Sequence, residues 1–403
     1  MDTLVENAGF SKTRLERITD HLNRNYIDPQ KIAGCQVVVA RHGHVAYEKT
    51  LGLMDIERNK PMAEDAIFRI YSMTKPITSI ALMQLYEQGM FQLNDPVNRV
   101  IPSWRDQQVY LSGDANDMVL EVPEQPVTFR HILSHTAGLS YGATQHPVDQ
   151  LYRQHGVVRG EGATLASFVE KLAQVPLHFA PGNQWLYSYA TDVAGHLVEA
   201  LSGMPLDQYF AGHIFEPLGM TDTAFHVAPE SVDRFCANYQ REPDKSLKLI
   251  DDPIDSAYLK KPTFFSGGGG LTGTTADYLR FCEMLRREGQ LDGERIIGPR
   301  TLGLMHQNHL SNNADLASLA VGAFSETAYE GVGFGLGFAV SLSEVGTGSL
   351  GAGDYYWGGA ASTIFWVDPV EDLVAIFMTQ LMPSATFNFR GQLKNIIYGA
   401  IEH

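Results

Sequence analysis

Residues 72–89 read SMTKPITSIALMQLYEQG, and this stretch decides the fold. It is apolar almost all round, as a helix buried on every side should be. Pro76 is tolerated only near a helix start, so the helix is predicted to begin close to Ser72, and Gly89 ends it. Its first turn nonetheless carries Ser72 and Lys75, three apart and therefore on one face. A lysine in the first turn of a buried helix needs a reason. Serine is a weak nucleophile until a base takes its proton, and a desolvated neutral lysine can do that. The helix N-terminus also offers backbone N–H groups and a positive dipole end, suited to developing oxyanion charge. The bland alternative is a capping serine beside a solvated lysine, and the apolar surroundings weigh against it.

Working outward, strand texture lies at both ends of the chain. Residues 34–52 (GCQVVVARHGHVAYEKTLG) are two β-rich runs around a turn at residues 41–44, a hairpin signal. Between residues 91 and 264, helix-period stretches such as 165–175 and 192–201 alternate with Pro/Gly loops. After the run Ser266-Gly267-Gly268-Gly269-Gly270 comes a helical stretch over 276–287. Residues 333–342 alternate small and apolar side chains, while 362–367 and 373–380 flank an Asp368-Pro369 turn as a second hairpin. A final helix over 388–401 closes the chain. Strands at both ends with helices between predict an α+β layout whose sheet is built from the two termini.

Composition removes several function classes. The 403 residues carry 30 Lys+Arg against 46 Asp+Glu, a net charge of −16. With no local basic run, that balance repels phosphate backbones and anionic headgroups, so neither nucleic acid nor membrane is an expected partner. Cys35, Cys236 and Cys282 are odd in number and lack a C-x-x-C, which argues against a disulfide framework or a thiolate metal site. No run approaches 18 apolar residues. The start, MDTLVENAGFSKTRLERI, lacks a basic head followed by an apolar stretch. It reads as an amphipathic helix rather than a signal peptide, and a cytoplasmic protein is expected.

Other constellations compete with the S-x-x-K. Gly138-Leu139-Ser140-Tyr141-Gly142 is a literal G-x-S-x-G, but a nucleophile elbow needs a strand entering and a helix leaving. Here Phe129, Ile132 and Leu133 enter at helical spacing and a loop follows, so Ser140 is read as part of a glycine-rich loop. His131 and His135 have metal-ligand spacing, yet lack the intervening glutamate and a third ligand, so no metal is expected. Residues 267–270 are followed by no Gly-Lys-Ser/Thr and read as a close-packed turn rather than a phosphate cradle. Trp185, Tyr187 and Tyr189 cluster after Pro181-Gly182, an arrangement more often core than site.

Taken together, these residues resemble the serine β-lactamase-like superfamily: class C β-lactamases, D-Ala-D-Ala carboxypeptidases and, most closely, the family VIII carboxylesterases. The resemblance spans about residues 15 to 395. Ser72-Met73-Thr74-Lys75 looks like the first motif, flanked by Phe68-Arg69 and by Leu93-Asn94-Asp95-Pro96. His135-Thr136-Ala137-Gly138-Leu139 is similar to a recurrent segment. Pro181-Gly182…Tyr187-Ser188-Tyr189 stands in the place of P-G-x-x-F-x-Y-S-N, and Gly268-Gly269-Gly270-Leu271 with Asp277-Tyr278 matches another shared segment. Trp357-Gly358-Gly359 takes the place of K-T-G. The lactamase asparagine is thus replaced by Tyr189 and the K-T-G lysine by Trp357. Losing that cation removes a charge-assisted contact to a β-lactam carboxylate, worth about 1.5–3 kcal/mol.

The resemblance implies a β-lactamase/transpeptidase-like fold, with an antiparallel sheet flanked by helices. Residues 1–75 and 265–403 would form an α/β lobe and 76–264 a mainly helical lobe, with the site in the cleft between. It implies a cofactor-free and metal-free serine carboxylesterase that hydrolyses small-molecule, short-chain esters through an acyl-enzyme on Ser72. Lys75 and Tyr187 would form the base system, with either neutral Lys75 or a Tyr187 phenolate taking the serine proton. The Ser72 and Ala360 backbone N–H groups would make the oxyanion hole, with Tyr189, Trp357, Gly358 and Gly359 against the substrate. A weak β-lactamase, a D-amino-acid amidase or peptidase, or an acyltransferase could use the same residues. A non-catalytic scaffold should have lost the serine, lysine or tyrosine, and all three are present.

Overall fold

The two hairpin signals become the middle of one sheet. The structure is a computed structural model and describes residues 2–160, 162–322 and 326–403. Strands β1 (Gly34–Arg41) and β2 (His44–Asp55) are joined at His42-Gly43. Both turn residues have positive φ, 54° and 76°, as a tight two-residue hairpin connection requires. A short β3 (Lys60–Pro61) extends this edge. From the far end of the chain come β4 (Val332–Phe334), β5 (Ala339–Ser341), β6 (Tyr355–Gly358), β7 (Ile364–Asp368) and β8 (Leu373–Thr379). The order across the sheet is β4-β5-β6-β7-β8-β1-β2-β3. All neighbours are antiparallel, and β1 meets β8 from Cys35↔Thr379 to Arg41↔Leu373. The sheet is therefore built from the two ends of the chain, the α+β architecture expected from sequence.

Every residue of β1 and β8 is buried, so these strands read as continuous Val/Ile/Phe runs rather than alternating ones. Helices cover both faces. Three helices matter for the site: α1 (Thr74–Glu87), α2 (Ala190–Ser202) and α3 (Thr275–Arg286). Helix α3 lies on β7 and β8, with the Tyr278 and Phe365 rings 5.1 Å apart. On the other face, α4 (Phe389–Tyr398) places Phe389 4.7 Å from Phe377. Helix α1 is buried along most of its length and packs against α2.

Two local expectations are corrected. The N-terminal segment is not one helix but three short ones, Asp2–Asn7, Lys12–Leu15 and Arg17–Leu22. Between the first two, Gly9 takes φ +69°, and a Cβ there would lie 2.6 Å from Arg41 Nη1 and 2.9 Å from the His403 carbonyl oxygen. The chain bends there to let both ends meet. In addition, Ser72 precedes α1 and sits in the 3₁₀ turn Tyr71–Met73. Among the described residues, no helix is long and apolar enough to cross a membrane.

Candidate active site

Ser72 is presented by a strained turn. Tyr71 has φ +42°, a left-handed conformation that costs a bulky residue about 1–3 kcal/mol unless its surroundings enforce it. Here they do. The Tyr71 hydroxyl accepts from Asn238 Nδ2 at 3.0 Å, and the Ile70 N–H bonds the Leu271 carbonyl. Arg69 just before is fully buried, bonding Asp251 and the Cys236 carbonyl, both at 2.6 Å. The turn aims Ser72 into a cavity of about 490 Å³.

One helical turn on, Lys75 is 1 % exposed, with Nζ 3.1 Å from Ser72 Oγ. Its amine also donates to the Gly268 carbonyl at 2.6 Å and lies 4.5 Å from the centre of the Tyr187 ring. Burial, aided by the Arg159 charge, pulls the Lys75 pKa down to about 7 against the opposing pull of Asp192 and Glu326. The glycine run explains how a carbonyl comes so close. A Cβ on Gly267 would meet the Thr191 carbonyl oxygen at 2.7 Å, and one on Gly268 would meet Asp192 Oδ2 at 2.8 Å. This close-packed turn wedges between α1 and α2. Buried Asp192 holds it by accepting from Ser266 Oγ and the Gly268 N–H, at 2.6 and 3.1 Å.

Tyr187 completes the group from 115 positions downstream of Ser72. Its phenol is hydrogen-bonded by the Ser72 and Trp357 side chains, and Trp357 Nε1 donates to it at 3.1 Å. Burial first, then Tyr141 and Glu326, push its pKa well above the usual value, so the group is a neutral phenol near pH 7. Its ring is fixed by Trp185, stacked at 6.1 Å, and by His135 at 5.1 Å.

The structure thus brings Ser72, Tyr187 and Ala360 to the lining of one cavity, with Lys75 buried beside Ser72, and it places the four residues expected against the substrate outside that lining. Trp357 is fully buried and outside the cavity lining, because its indole points at the Tyr187 hydroxyl. Tyr189 immediately precedes α2 as its N-cap residue and packs behind the wall, 4.7 Å from the Tyr141 ring and 5.0 Å from Phe168. Gly358 and Gly359 do not line the cavity either, and their part is close approach. A Cβ on Gly359 would lie 2.4 Å from the Ile70 carbonyl oxygen, so its absence lets the end of β6 carry Ala360 up to the Ser72 turn. Among the described residues, neither the Ser72 nor the Ala360 N–H donates to a protein acceptor.

The competing motifs have other partners. Ser140 donates to Asp149, whose carboxylate also takes His178 Nε2 at 2.8 Å and Thr144 Oγ1 at 2.6 Å. Burial would raise the Asp149 pKa, but these hydrogen bonds outweigh it and hold it low. Ser140 therefore faces an anion rather than a histidine base. His131 caps its own helix by accepting the Thr128 N–H, and burial lowers its pKa to about 4. His135 sits between Ser188 and Thr191, with its pKa lowered by burial and by Lys75. Among the described residues, no three His, Cys, Asp or Glu side chains are placed to hold a metal.

Sequence reasoning missed Tyr141, Arg159 and Glu326, which also line the cavity. Tyr141 lay inside the discarded G-x-S-x-G; nothing local marks the other two.

A family model described as Beta-lactamase matches residues 19–396. Esterase EstB of Burkholderia gladioli is 32% identical over 394 residues, 93% of this chain and 91% of that protein. Acyltransferase calJ of Penicillium decumbens is 30% identical, over 85% of this chain and 82% of its own. Among solved structures, EstCE1, described as a hydrolase with promiscuous acyltransferase activity, superposes with a TM-score of 0.80 at 29% identity, covering 96% of this chain and 99% of that one.

Proposed function

The chain belongs to the Beta-lactamase family, and from that premise we propose that it is a serine carboxylesterase acting on short-chain esters through an acyl-enzyme on Ser72. The observation that carries this reading is the buried Lys75 amine, 3.1 Å from Ser72 Oγ and with a pKa near 7. Neutral Lys75 takes the serine proton as Ser72 Oγ bonds the ester carbonyl carbon. The raised pKa of Tyr187 argues against a phenolate in that role. The Ser72 and Ala360 N–H groups receive the oxyanion, a role in which losing one donor costs about 10²–10³ in rate. The ester C–O bond then breaks, and Tyr187 gives its proton to the departing alkoxide, recovering one from the Lys75 ammonium facing its ring. Water enters, the acyl–Ser72 bond breaks, and the carboxylic acid leaves.

Esters fit better than β-lactams because no unpaired cation faces the cavity among the described residues. Arg159 is held by Asp192 at 2.6 Å, and Trp357 replaces the K-T-G lysine. Esterase EstB supports this reading. The names of calJ and EstCE1 favour a second one, in which an alcohol rather than water takes the acyl group. The test is p-nitrophenyl butyrate hydrolysis by wild type and Ser72→Ala, with mass spectrometry of the trapped acyl-enzyme. Turnover lost in the variant and a butyryl adduct on Ser72 are expected, whereas turnover surviving the substitution refutes the proposal. Adding a primary alcohol and looking for the new ester distinguishes transfer from hydrolysis.

A further inference from the structure

One acid in the cavity wall has no close hydrogen-bond partner among the described residues. Glu326 is 7 % exposed, and it faces the same cavity as Ser72, Tyr187 and Ala360. Neither of its carboxyl oxygens makes a close hydrogen bond among the described residues, and the Ser384 side chain is the hydrogen-bonding group that bears on it. Leaving a buried acceptor without a close partner is costly, and more so for a charged one. Native structures keep few such groups.

The other charged groups around the cavity are already committed. Arg159 is paired with Asp192, Asp149 takes three side chains, and Lys75 holds Ser72 and the Gly268 carbonyl. Arg390, behind the wall, spans two main-chain oxygens rather than the carboxyl. Its Nη1 donates to the Glu326 carbonyl and its Nη2 to the Trp357 carbonyl, both at 3.0 Å. The Glu326 carboxyl is thus an acceptor in the cavity wall beside Ser72 and Tyr187, with Ser384 near it and capacity for a further donor.

Building on the esterase reading, we infer that Glu326 is a specificity-determining residue whose carboxyl accepts a hydrogen bond from a hydroxyl or ammonium group carried by the substrate beyond its reacting ester. Burial raises the Glu326 pKa, while Ser384 and the charges of Lys75 and Arg390 restrain the rise. A carboxyl accepts through its oxygens in either protonation state. A substrate carboxylate brings no donor and gains nothing there. A hydroxyl gains one hydrogen bond, and an ammonium gains a charge-assisted one.

The test measures kcat/KM for a series of phenolic butyrates whose ring carries, opposite the ester, hydrogen, hydroxymethyl, aminomethyl or carboxylate. Phenyl esters of 3-hydroxybutyrate and 3-aminobutyrate place the donor on the acyl side. Wild type is compared with Glu326→Gln and Glu326→Leu, with Glu326→Ala serving if the leucine variant does not fold. Each value is taken relative to the unsubstituted ester in the same enzyme, so that any change transmitted through Lys75 cancels. A donor-bearing ester should exceed the reference by about tenfold in wild type and lose that advantage in the leucine or alanine variant. The glutamine variant separates the two sources: it keeps a hydroxyl preference through its amide oxygen and loses an ammonium preference. No donor advantage in wild type, or the same advantage in every variant, overturns the inference while leaving the esterase reading standing. If no ester is turned over, the esterase reading fails instead. Thermal shift with benzylamine and benzyl alcohol then decides the inference: protection lost in the leucine or alanine variant supports it, and equal or absent protection overturns it.

Discussion

Trp357→Phe tests the proposed proton supply most sharply, because it removes one hydrogen-bond donor and keeps an aromatic ring. The indole Nε1–H lies 3.1 Å from the Tyr187 hydroxyl and lowers a pKa that burial has raised. Without it the phenol is a weaker acid, so Tyr187 gives up its proton less readily to a departing alkoxide. A neutral hydrogen bond is worth about 0.5–1.5 kcal/mol net, and one to a charged partner about 1.5–3 kcal/mol. The difference, about 1–1.5 kcal/mol, is felt only as the phenol becomes anionic. At 1.36 kcal/mol per tenfold, that predicts a loss of about five- to thirteenfold in kcat. The loss should appear with ethyl butyrate, whose alkoxide needs a proton, and stay within about twofold with p-nitrophenyl butyrate, whose leaving group does not. The void left by the smaller ring lowers the Tm whichever ester is used. Stopped assays of the two esters, side by side, separate these effects. Equal slowing of both would refute the reasoning and reduce Trp357 to a packing residue.

Four further outcomes are expected. Ser140→Ala takes a donor from buried Asp149 and should cost about 1–3 kcal/mol of stability in a denaturant titration, while ester turnover stays within a few-fold; lost turnover would revive Ser140 as the nucleophile. Because the base is neutral Lys75, kcat/KM should fall as pH drops through about 7, and a rate unchanged down to pH 5 would contradict that assignment. The same depressed pKa means that the unfolded chain holds more protons than the folded one between about 7 and the ordinary 10.5. Stability therefore rises with pH across that window, and Lys75→Met should flatten the rise in Tm while abolishing turnover. Gly268→Ala places a Cβ 2.8 Å from Asp192 Oδ2 and Arg159 Nη2. Overpacking of this kind costs about 1–3 kcal/mol; here it also displaces the carbonyl holding Lys75, so Tm and kcat should fall together.

What depends on short-range spacing was legible in the chain alone. β-rich runs around the turn at residues 41–44 and the Asp368-Pro369 turn marked both hairpins, and the three-residue spacing put Ser72 and Lys75 on one face even though the serine precedes α1. The wrong entry geometry around Ser140 was equally local, and residue-by-residue resemblance added Tyr187 and Ala360. The surroundings of those residues emerge from the folded molecule. Trp357 could be numbered from sequence, but not that its indole turns to Tyr187 instead of the cavity. Neither Arg159 nor Glu326 carries a local mark, since each matters only through what lies across the fold. A pKa near 7 for Lys75 likewise follows from water excluded by elements up to two hundred residues apart, joined by the Gly268 carbonyl. Desolvation and side-chain direction are properties of packing, and packing arises only when distant segments meet.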